Sequence, residues 1–312
     1  MIDLSIIIVN WNVTNFTKTC LNSIFNSIHN SFHKISISIE VIVIDNNSSD
    51  ENVKTLKEIF PNIKLIINKT NKGFAKACNQ GVKVSRGKYI FLLNPDTLLH
   101  AGCLEAMVTF MNLKKDAGGV TPHILNPDGS TQSLGRKLPT LRNMFIFYFF
   151  PHRFYKTIIG FLKRCKNLRE AFEVEALSGA TMMIRRKVLD SISLLDDELP
   201  MYAEDIDIFY RIRKAGWRLY CLPNISITHI GGASSRMIPI KARFNSYKAI
   251  YAYFSKNHGK VSALLIRLMI SISIVIRIIA IFILNSLKGK KEYLLNEFKV
   301  FKIVLRWSLR KK

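Results

Sequence analysis

The chain has 312 residues, 48% of them apolar, which is enough for a buried core and too many for a disordered tail protein. Its formal charge is +24, from 46 Lys and Arg against 22 Asp and Glu, a balance that invites an anionic membrane or a nucleic acid as partner. The excess is uneven: residues 236–312 hold 17 basic and 2 acidic residues, so +15 lies there and +9 in the first 235. Five cysteines (Cys20, Cys78, Cys103, Cys165, Cys221) are scattered, odd in number and without a CxxC pair, so neither a disulfide framework nor a zinc site is expected. Met1-Ile2-Asp3 opens the chain without a basic n-region or cleavage site, and no signal peptide is expected.

The first hundred residues alternate strand and helix signals. Leu4 to Val9 is a continuous, largely β-branched run, the pattern of a strand buried on both faces. Asn15 to Ile28 has Phe16, Cys20, Ile24 and Ile28 at spacing four and predicts a helix. Glu40 to Ile44 predicts a second strand, and Asp50 can cap a helix over Val53 to Phe60. Ile63 to Ile67 and Tyr89 to Leu93 predict two more strands around a helix at Gly73 to Val84. This alternation implies βαβ units and a mostly parallel sheet. Residues 118–145 read as loop-rich, with a tight turn at Asn126 to Gly129 joining two short strands. The aromatic, basic stretch 144–162 suits packing on the core or contact with a membrane. Strand character returns at 175–184 around Ser178-Gly179-Ala180, and 204–215 predicts a helix ended by Gly216.

Three polar clusters, Asn10-Trp11-Asn12, Asp45 to Asp50 and Asn94-Pro95-Asp96, each follow the C-terminal end of a predicted strand. In open α/β sheets ligands bind at that edge, although Asn and Asp also make ordinary turns. Asp96 after a proline can hold a hard divalent cation, which in turn can hold a diphosphate. Glu204-Asp205-x-Asp207 opens a helix; such carboxylates complement the helix dipole, and one of them could serve as a general base. His229 precedes Gly231-Gly232-Ala233-Ser234-Ser235 and is either structural or a metal or phosphate ligand.

Taken in order, "SIIIVNWN", "EVIVIDNNSSD", "NKGFAKACNQG", "YIFLLNPDT", "LSGATMMIRRKVL", "LLDDELPMYAEDIDIFYRIRKAGW" and "HIGGASS" resemble glycosyltransferase family 2 over about residues 2–235. More narrowly, they resemble its inverting rhamnosyltransferase-like branch. The resemblance implies a GT-A nucleotide-diphospho-sugar transferase fold of the α/β class, with a Rossmann-like central sheet. It implies that Asn10 and Asp45 hold the pyrimidine nucleoside and that Asn71, Gly73 and Asn79 line the nucleotide pocket. Asp96 would match the last residue of the family's metal-binding DxD, with Asn94 where that motif has Asp. Gly179 and Ala180 would leave room beside the sugar, and His229 would sit near metal and diphosphate. Asp205, beside Glu204, would match the catalytic base. The implied cofactor is Mg2+ or Mn2+, and the implied donor is a nucleotide-diphospho-sugar, with dTDP-rhamnose ahead of a UDP-hexose or UDP-galactofuranose. The QxxRW signature of processive members is absent, so single or few additions are expected.

Val261 to Leu287 is an apolar run of spanning length, interrupted by Arg267 and Arg277. On a helical wheel Arg267, Ser271, Ser273, Arg277 and Asn285 share about half the circumference. That favours a helix lying in the membrane interface, or hairpinned into one leaflet, over a clean span. The basic segment that follows, with Leu294, Phe298 and Trp307 among Lys299, Lys302 and Arg306, suits anionic lipid, and a helical cap on the catalytic domain is the alternative. The expected organisation is therefore a catalytic domain over 1–235 and a helical, membrane-associating region over 236–312. It would sit at the cytoplasmic face of the membrane with a lipid-linked glycan as acceptor. Two other readings are a sugar-1-phosphate nucleotidylyltransferase and a non-catalytic nucleic-acid binder. The first would need a Gly-rich basic loop where Asn10-Trp11-Asn12 stands; no RRM, KH or helix-turn-helix signature supports the second, so no nucleic acid is expected.

Overall fold

A computed structural model of the protein describes residues 2–29, 37–150, 170–232, 239–285 and 291–309. They fall into two compact units. The first holds 2–138, 170–197 and 204–232; the second holds 139–150, 198–203, 239–285 and 291–309. The second thus takes residues 139–150 and 198–203 from the stretch expected to form one catalytic domain. The expected boundary at 235, Ala233 to Ser235, Cys165 and residues 151–162 of the aromatic stretch lie outside the described residues.

The first unit begins with β1 (Leu4–Asn10), α1 (Thr14–His29), β2 (Ile39–Asp45), α2 (Thr55–Ile59), β3 (Lys64–Ile67), α3 (Phe74–Val84) and β4 (Tyr89–Leu93). These strands are parallel and lie in the order β3-β2-β1-β4. Each pair of successive strands is joined through a helix, as a parallel return requires. The chain steps outward from β1 to β3 and then comes back to the far side of β1. That reversal makes β1/β4 a switch point, where the loops leaving the strands part and open a crevice. Alternation along β1 explains the layers. Leu4, Ile6 and Ile8 pack with Cys20, Leu21 and Ile24 of α1, whereas Ile7 and Val9 pack with Ala77, Cys78 and Val82 of α3.

The chain continues through β5 (Thr97–Leu99), α4 (Cys103–Leu113), β6 (Ala117–Leu125), β7 (Thr131–Ser133), α5 (Leu141–Phe149), β8 (Phe172–Val174), β9 (Thr181–Arg185), α6 (Arg186–Ile192), α7 (Glu204–Lys214) and β10 (Arg218–His229). The full sheet order is β3-β2-β1-β4-β9-β6-β10-β5, with β7 on β6 and β8 on β10. Only β6/β10 is parallel in this half; β4/β9, β6/β9, β6/β7, β5/β10 and β8/β10 are antiparallel. The expectation of a mostly parallel sheet therefore holds for the first four strands and not for the sheet as a whole, which is mixed.

Three local expectations are corrected. Gly118, Gly119 and Pro122 lie inside β6 rather than in a loop. A Cβ at Gly118 would meet the Trp217 side chain, so close packing in a buried strand selects glycine there. Pro122 is tolerated because the partner strand slips between Leu222 and Ser226, opposite Pro122 and His123. Ser178-Gly179-Ala180 precede β9 instead of forming its centre. Asp50 caps a 3-10 turn at Glu51–Val53, accepting from the Asn52 N–H at 3.0 Å, and α2 starts only at Thr55.

The second unit contains α5 and three helices, α8 (Pro239–Asn257), α9 (Gly259–Asn285) and α10 (Lys291–Leu309), with α9 packed on the other three. Ala263, Ile266, Ile270, Ser273 and Ile274 form its buried side, and Arg267 donates to the Trp307 carbonyl at 3.2 Å. Val261, Leu264, Leu265, Leu268, Ile272, Val275, Ile276 and Ile279 lie exposed along the opposite side. The helix therefore turns a stripe at spacings of three and four outward, and Ser273 inward. Gly259–Ala280, 22 residues at mean hydropathy 2.3, is long and apolar enough to cross or associate with a membrane. α5 divides in the same way: Met144 and Tyr148 are buried, while Phe145, Phe147 and Phe150 are exposed.

Candidate active site

The carboxyl ends of β1 and β2 carry a closed polar network. Asn10 is fully buried, and its amide donates to Asp45 Oδ1 at 2.9 Å, Ser48 Oγ at 3.1 Å and Thr14 Oγ1 at 3.1 Å. Its own Oδ1 accepts from Thr17 Oγ1 at 2.7 Å. Asp45, also buried, accepts from Ser48 Oγ at 2.6 Å and from the Ser48 N–H at 3.1 Å. Asn46 extends the network: its amide donates to Asn71 Oδ1 at 2.9 Å, and its oxygen accepts from Asn68 and from the Lys72 N–H. Asn71 Oδ1 also takes the Gly73 N–H, fixing a turn in which Gly73 has φ +84°. Asn12 and Asn47 adopt left-handed backbone, which asparagine tolerates better than most residues.

At the neighbouring strand ends lie two further buried carboxylates, Asp96 and Asp205. Asp96 follows β4 and is 5% exposed; its Oδ1 lies 3.3 Å from Nε2 of His229, the last residue of β10. That Nε2 is buried and makes no hydrogen bond. The other ring nitrogen, Nδ1, lies 2.6 Å from Gln132 Oε1 on β7. Asn94 joins β4 to the turn before β9 through its N–H, which donates to the Ala180 carbonyl at 2.9 Å.

Asp205, in the first turn of α7, is 9% exposed. Its Oδ1 accepts the Ile206 N–H at 2.8 Å, and its Oδ2 lies 3.9 Å from the guanidinium of Arg136. Burial pushes its pKa above the ordinary carboxylate value, and the Arg136 cation opposes that rise. Gly179 faces the same oxygen so closely that a Cβ there would collide with it. Glu204 is buried beside Asp205. Asp207 is spent on structure: its carboxylate holds Arg211 at 2.7 Å, and Arg211 in turn binds the carbonyls of Ile192, Ser193 and Leu194.

The structure therefore brings Asn10, Asp45, Asn71 and Gly73 into one network and Asp96 with His229 into another. Asp205 and Gly179 form a third pair, tied to β4 through Ala180 and Asn94. Asn79 is placed otherwise than expected. It lies on the inward side of α3, and its amide donates to the Leu195 carbonyl at 2.7 Å and accepts the Leu195 N–H at 3.1 Å, so it pins backbone instead of lining a pocket. Sequence reading missed Asn46, Ser48, Gln132 and Arg136. The first two sit inside the quoted "DNNSSD" and were legible as part of that cluster. Gln132 and Arg136 sit in a stretch read as loop and reach the site only through the β6–β7 hairpin and the segment after it. Among the described residues no three His, Cys, Asp or Glu side chains cluster as a ready-made metal site.

Residues 5–192 match the sequence profile of glycosyl transferase family 2. The chain belongs to that family. It is 24% identical over 237 residues to an N-acetylglucosaminyl-diphospho-decaprenol L-rhamnosyltransferase of Mycobacterium tuberculosis, covering 71% of this chain and 76% of that one. It is 26% identical over 209 residues to a poly-beta-1,6-N-acetyl-D-glucosamine synthase of Staphylococcus aureus, with 66% of this chain and 45% of the relative covered. The glycosyltransferase thus spans under half the length of that relative. Two solved structures share its fold at 16% identity. One is GalNAc-T7 crystallised with UDP, GalNAc and Mn2+, at a TM-score of 0.54 over 82% of this chain and 50% of that one. The other is S. aureus TarS 1-349, at 0.52 over 97% and 81%.

Proposed function

We propose that this glycosyltransferase moves L-rhamnose from dTDP-rhamnose to a lipid-linked glycan by a single inverting displacement. The observation that carries the mechanism is the placement of one buried carboxylate, Asp205, against a side-chain-free Gly179, with Asp96 and His229 at the same sheet edge. The likeness to the mycobacterial rhamnosyltransferase supports the choice of donor and acceptor class. Asn10 and Asp45 form a rigid shelf for the nucleoside. Gly179 leaves a path to Asp205 Oδ2, which takes the proton of the acceptor hydroxyl as that oxygen attacks the anomeric carbon. Burial raises the pKa of Asp205 and so strengthens it as a base, while the Arg136 cation opposes that rise.

Mg2+ or Mn2+ fits the residues present. The Asp96 carboxylate is a hard oxygen donor, and the buried Nε2 of His229 has no protein hydrogen bond to lose. Bound there, the cation would supply positive charge to the departing diphosphate. The exposed apolar stripe of α9 and the basic charge of residues 236–312 suit the anionic cytoplasmic face of a membrane, where a lipid-linked acceptor is presented. Replacing Leu264, Leu268 and Ile272 together by Glu should lower flotation with anionic vesicles at least tenfold, since each apolar side chain withdrawn from lipid forfeits ~1.5 kcal/mol or more.

The deciding experiment is a donor panel. dTDP-rhamnose, UDP-N-acetylglucosamine, UDP-galactose and UDP-galactofuranose are offered with a lipid-diphosphate-N-acetylglucosamine acceptor, with and without EDTA. Release of dTDP only from dTDP-rhamnose, abolished by EDTA, is the expected result. Turnover with a UDP-sugar instead would overturn the choice of donor, and full activity in EDTA would remove the metal.

A further inference from the structure

The Asp96–His229 contact raises a question that the two residues do not answer themselves: which nitrogen of His229 carries the ring proton. Gln132 answers it. Its amide nitrogen donates to the backbone carbonyl of His229 at 2.9 Å and to Asn126 Oδ1 at 2.8 Å. A backbone carbonyl only accepts, so the orientation of the Gln132 amide is set. Its oxygen must then be the atom 2.6 Å from His229 Nδ1, and an amide oxygen also only accepts. Nδ1 is therefore the protonated nitrogen, and the lone pair of a neutral ring lies on Nε2. That atom is buried, makes no hydrogen bond and faces the Asp96 carboxylate at 3.3 Å. Two acceptors in that arrangement are complementary to a positive ion held between them.

We infer that Gln132 is a positioning residue for the transfer reaction: it holds His229 in the Nδ1–H tautomer, so that Nε2 and the Asp96 carboxylate together present a two-donor cleft to a divalent cation. The inference rests on the cation reading proposed above for Asp96 and His229. It adds a role for the β6–β7 hairpin, which pairs with the sheet only along β6 yet supplies the residue that grips both the ring and the backbone of His229. A ligating histidine whose other nitrogen donates to a fixed acceptor is oriented and made more basic, and loss of such an acceptor weakens metal binding ~10–100-fold.

Two substitutions separate positioning from simple scaffolding. Gln132→Met and Gln132→Glu both remove the two amide donors, but only Glu keeps an acceptor for Nδ1–H. Mn2+ affinity is read by electron paramagnetic resonance with dTDP present. The tautomer is read from long-range proton–nitrogen spectra of the imidazoles, with His229 assigned by its loss in His229→Ala. The expected result is Mn2+ binding weakened at least tenfold in Gln132→Met, with a mixture of tautomers, and within about threefold of the native protein in Gln132→Glu. Equal weakening in both variants, or no weakening in Gln132→Met, would overturn the inference. So would an Nε2–H ring in the native protein. If the native protein binds no Mn2+ but keeps the Nδ1–H tautomer, and Gln132→Met alone loses it, Gln132 positions His229 and the cation reading is what fails.

Discussion

Two carboxylates of this glycosyltransferase, Asp45 and Asp205, are both buried at the edge where the strands end, yet their surroundings are opposite. Asp45 accepts from an asparagine amide, a serine hydroxyl and a backbone N–H, all within 3.1 Å. Asp205 accepts the Ile206 N–H and otherwise faces a glycine and the distant, half-exposed cation of Arg136. A carboxylate with its lone pairs occupied is a structural part, because moving it breaks several bonds at once. A desolvated carboxylate with an open side is poised to take a proton. On the mechanism proposed above, the comparison separates a shelf for substrate from a group that reacts with it.

The largest expected effect lies at the reactive end. Asp205→Asn keeps shape and loses basicity, so kcat should fall ~10²–10⁴-fold, the range for losing a positioned general base, with donor affinity little changed. Folding stability should move the other way. Because burial raises the folded-state pKa of Asp205 above its unfolded value, the stability linked to its protonation is present at low pH and is lost as pH rises through that range. Above that range the native protein bears a buried charge, and Asp205→Asn compared there should raise Tm. Near-native turnover with no rise in Tm would place Asp205 with Asp45 as a structural part.

Gly179→Ala comes next. The added Cβ meets Asp205 Oδ2, so the base must shift, and a displacement near 1 Å costs ~10²-fold in kcat. Steady-state kinetics beside a nucleotide-binding titration would check that the loss is in turnover and not in donor affinity.

Asp45→Ala should invert this pattern. It leaves the amide of Asn10 and the hydroxyl of Ser48 short of a buried partner, at a cost of ~1–3 kcal/mol, and Tm should drop. The donor KM should rise more than kcat falls, and a denaturation curve with initial rates at low and high donor would show it. An unchanged Tm would dissolve the contrast from the shelf side.

The smallest effect is on pH dependence. The proposed mechanism requires ionised Asp205, so kcat/KM should fall as pH drops through its raised pKa. Arg136→Ala removes the cation that opposes this rise and should move the acidic limb to higher pH without changing the plateau rate greatly. A limb that stays in place would show that Arg136 is too exposed to act on the base.

Much of this protein was legible in its sequence, because the signals concerned are local. A continuous run such as Leu4 to Val9 specifies a strand buried on both faces, since every side chain must leave water. The alternation with helices then brings the parallel strands, and with them Asn10, Asp45 and Asp96, to one edge. The order of the glycosyltransferase motifs and the apolar length of residues 259–285 are likewise properties of the chain alone. What only tertiary structure decided is which polar atoms meet. Asn79 looks like any pocket asparagine until its amide is seen to pair with Leu195, 116 residues away. Gln132 and Arg136 carry no signal in a stretch read as loop, yet the long strand β6 and its hairpin set Gln132 against His229, and the segment beyond sets Arg136 beside Asp205. The same holds for the mixed half of the sheet, where β9 comes between β4 and β6. Periodicity records which face of an element leaves water, while hydrogen-bond partners distant in sequence are chosen only when the elements pack, and that packing distinguishes a held carboxylate from a reactive one.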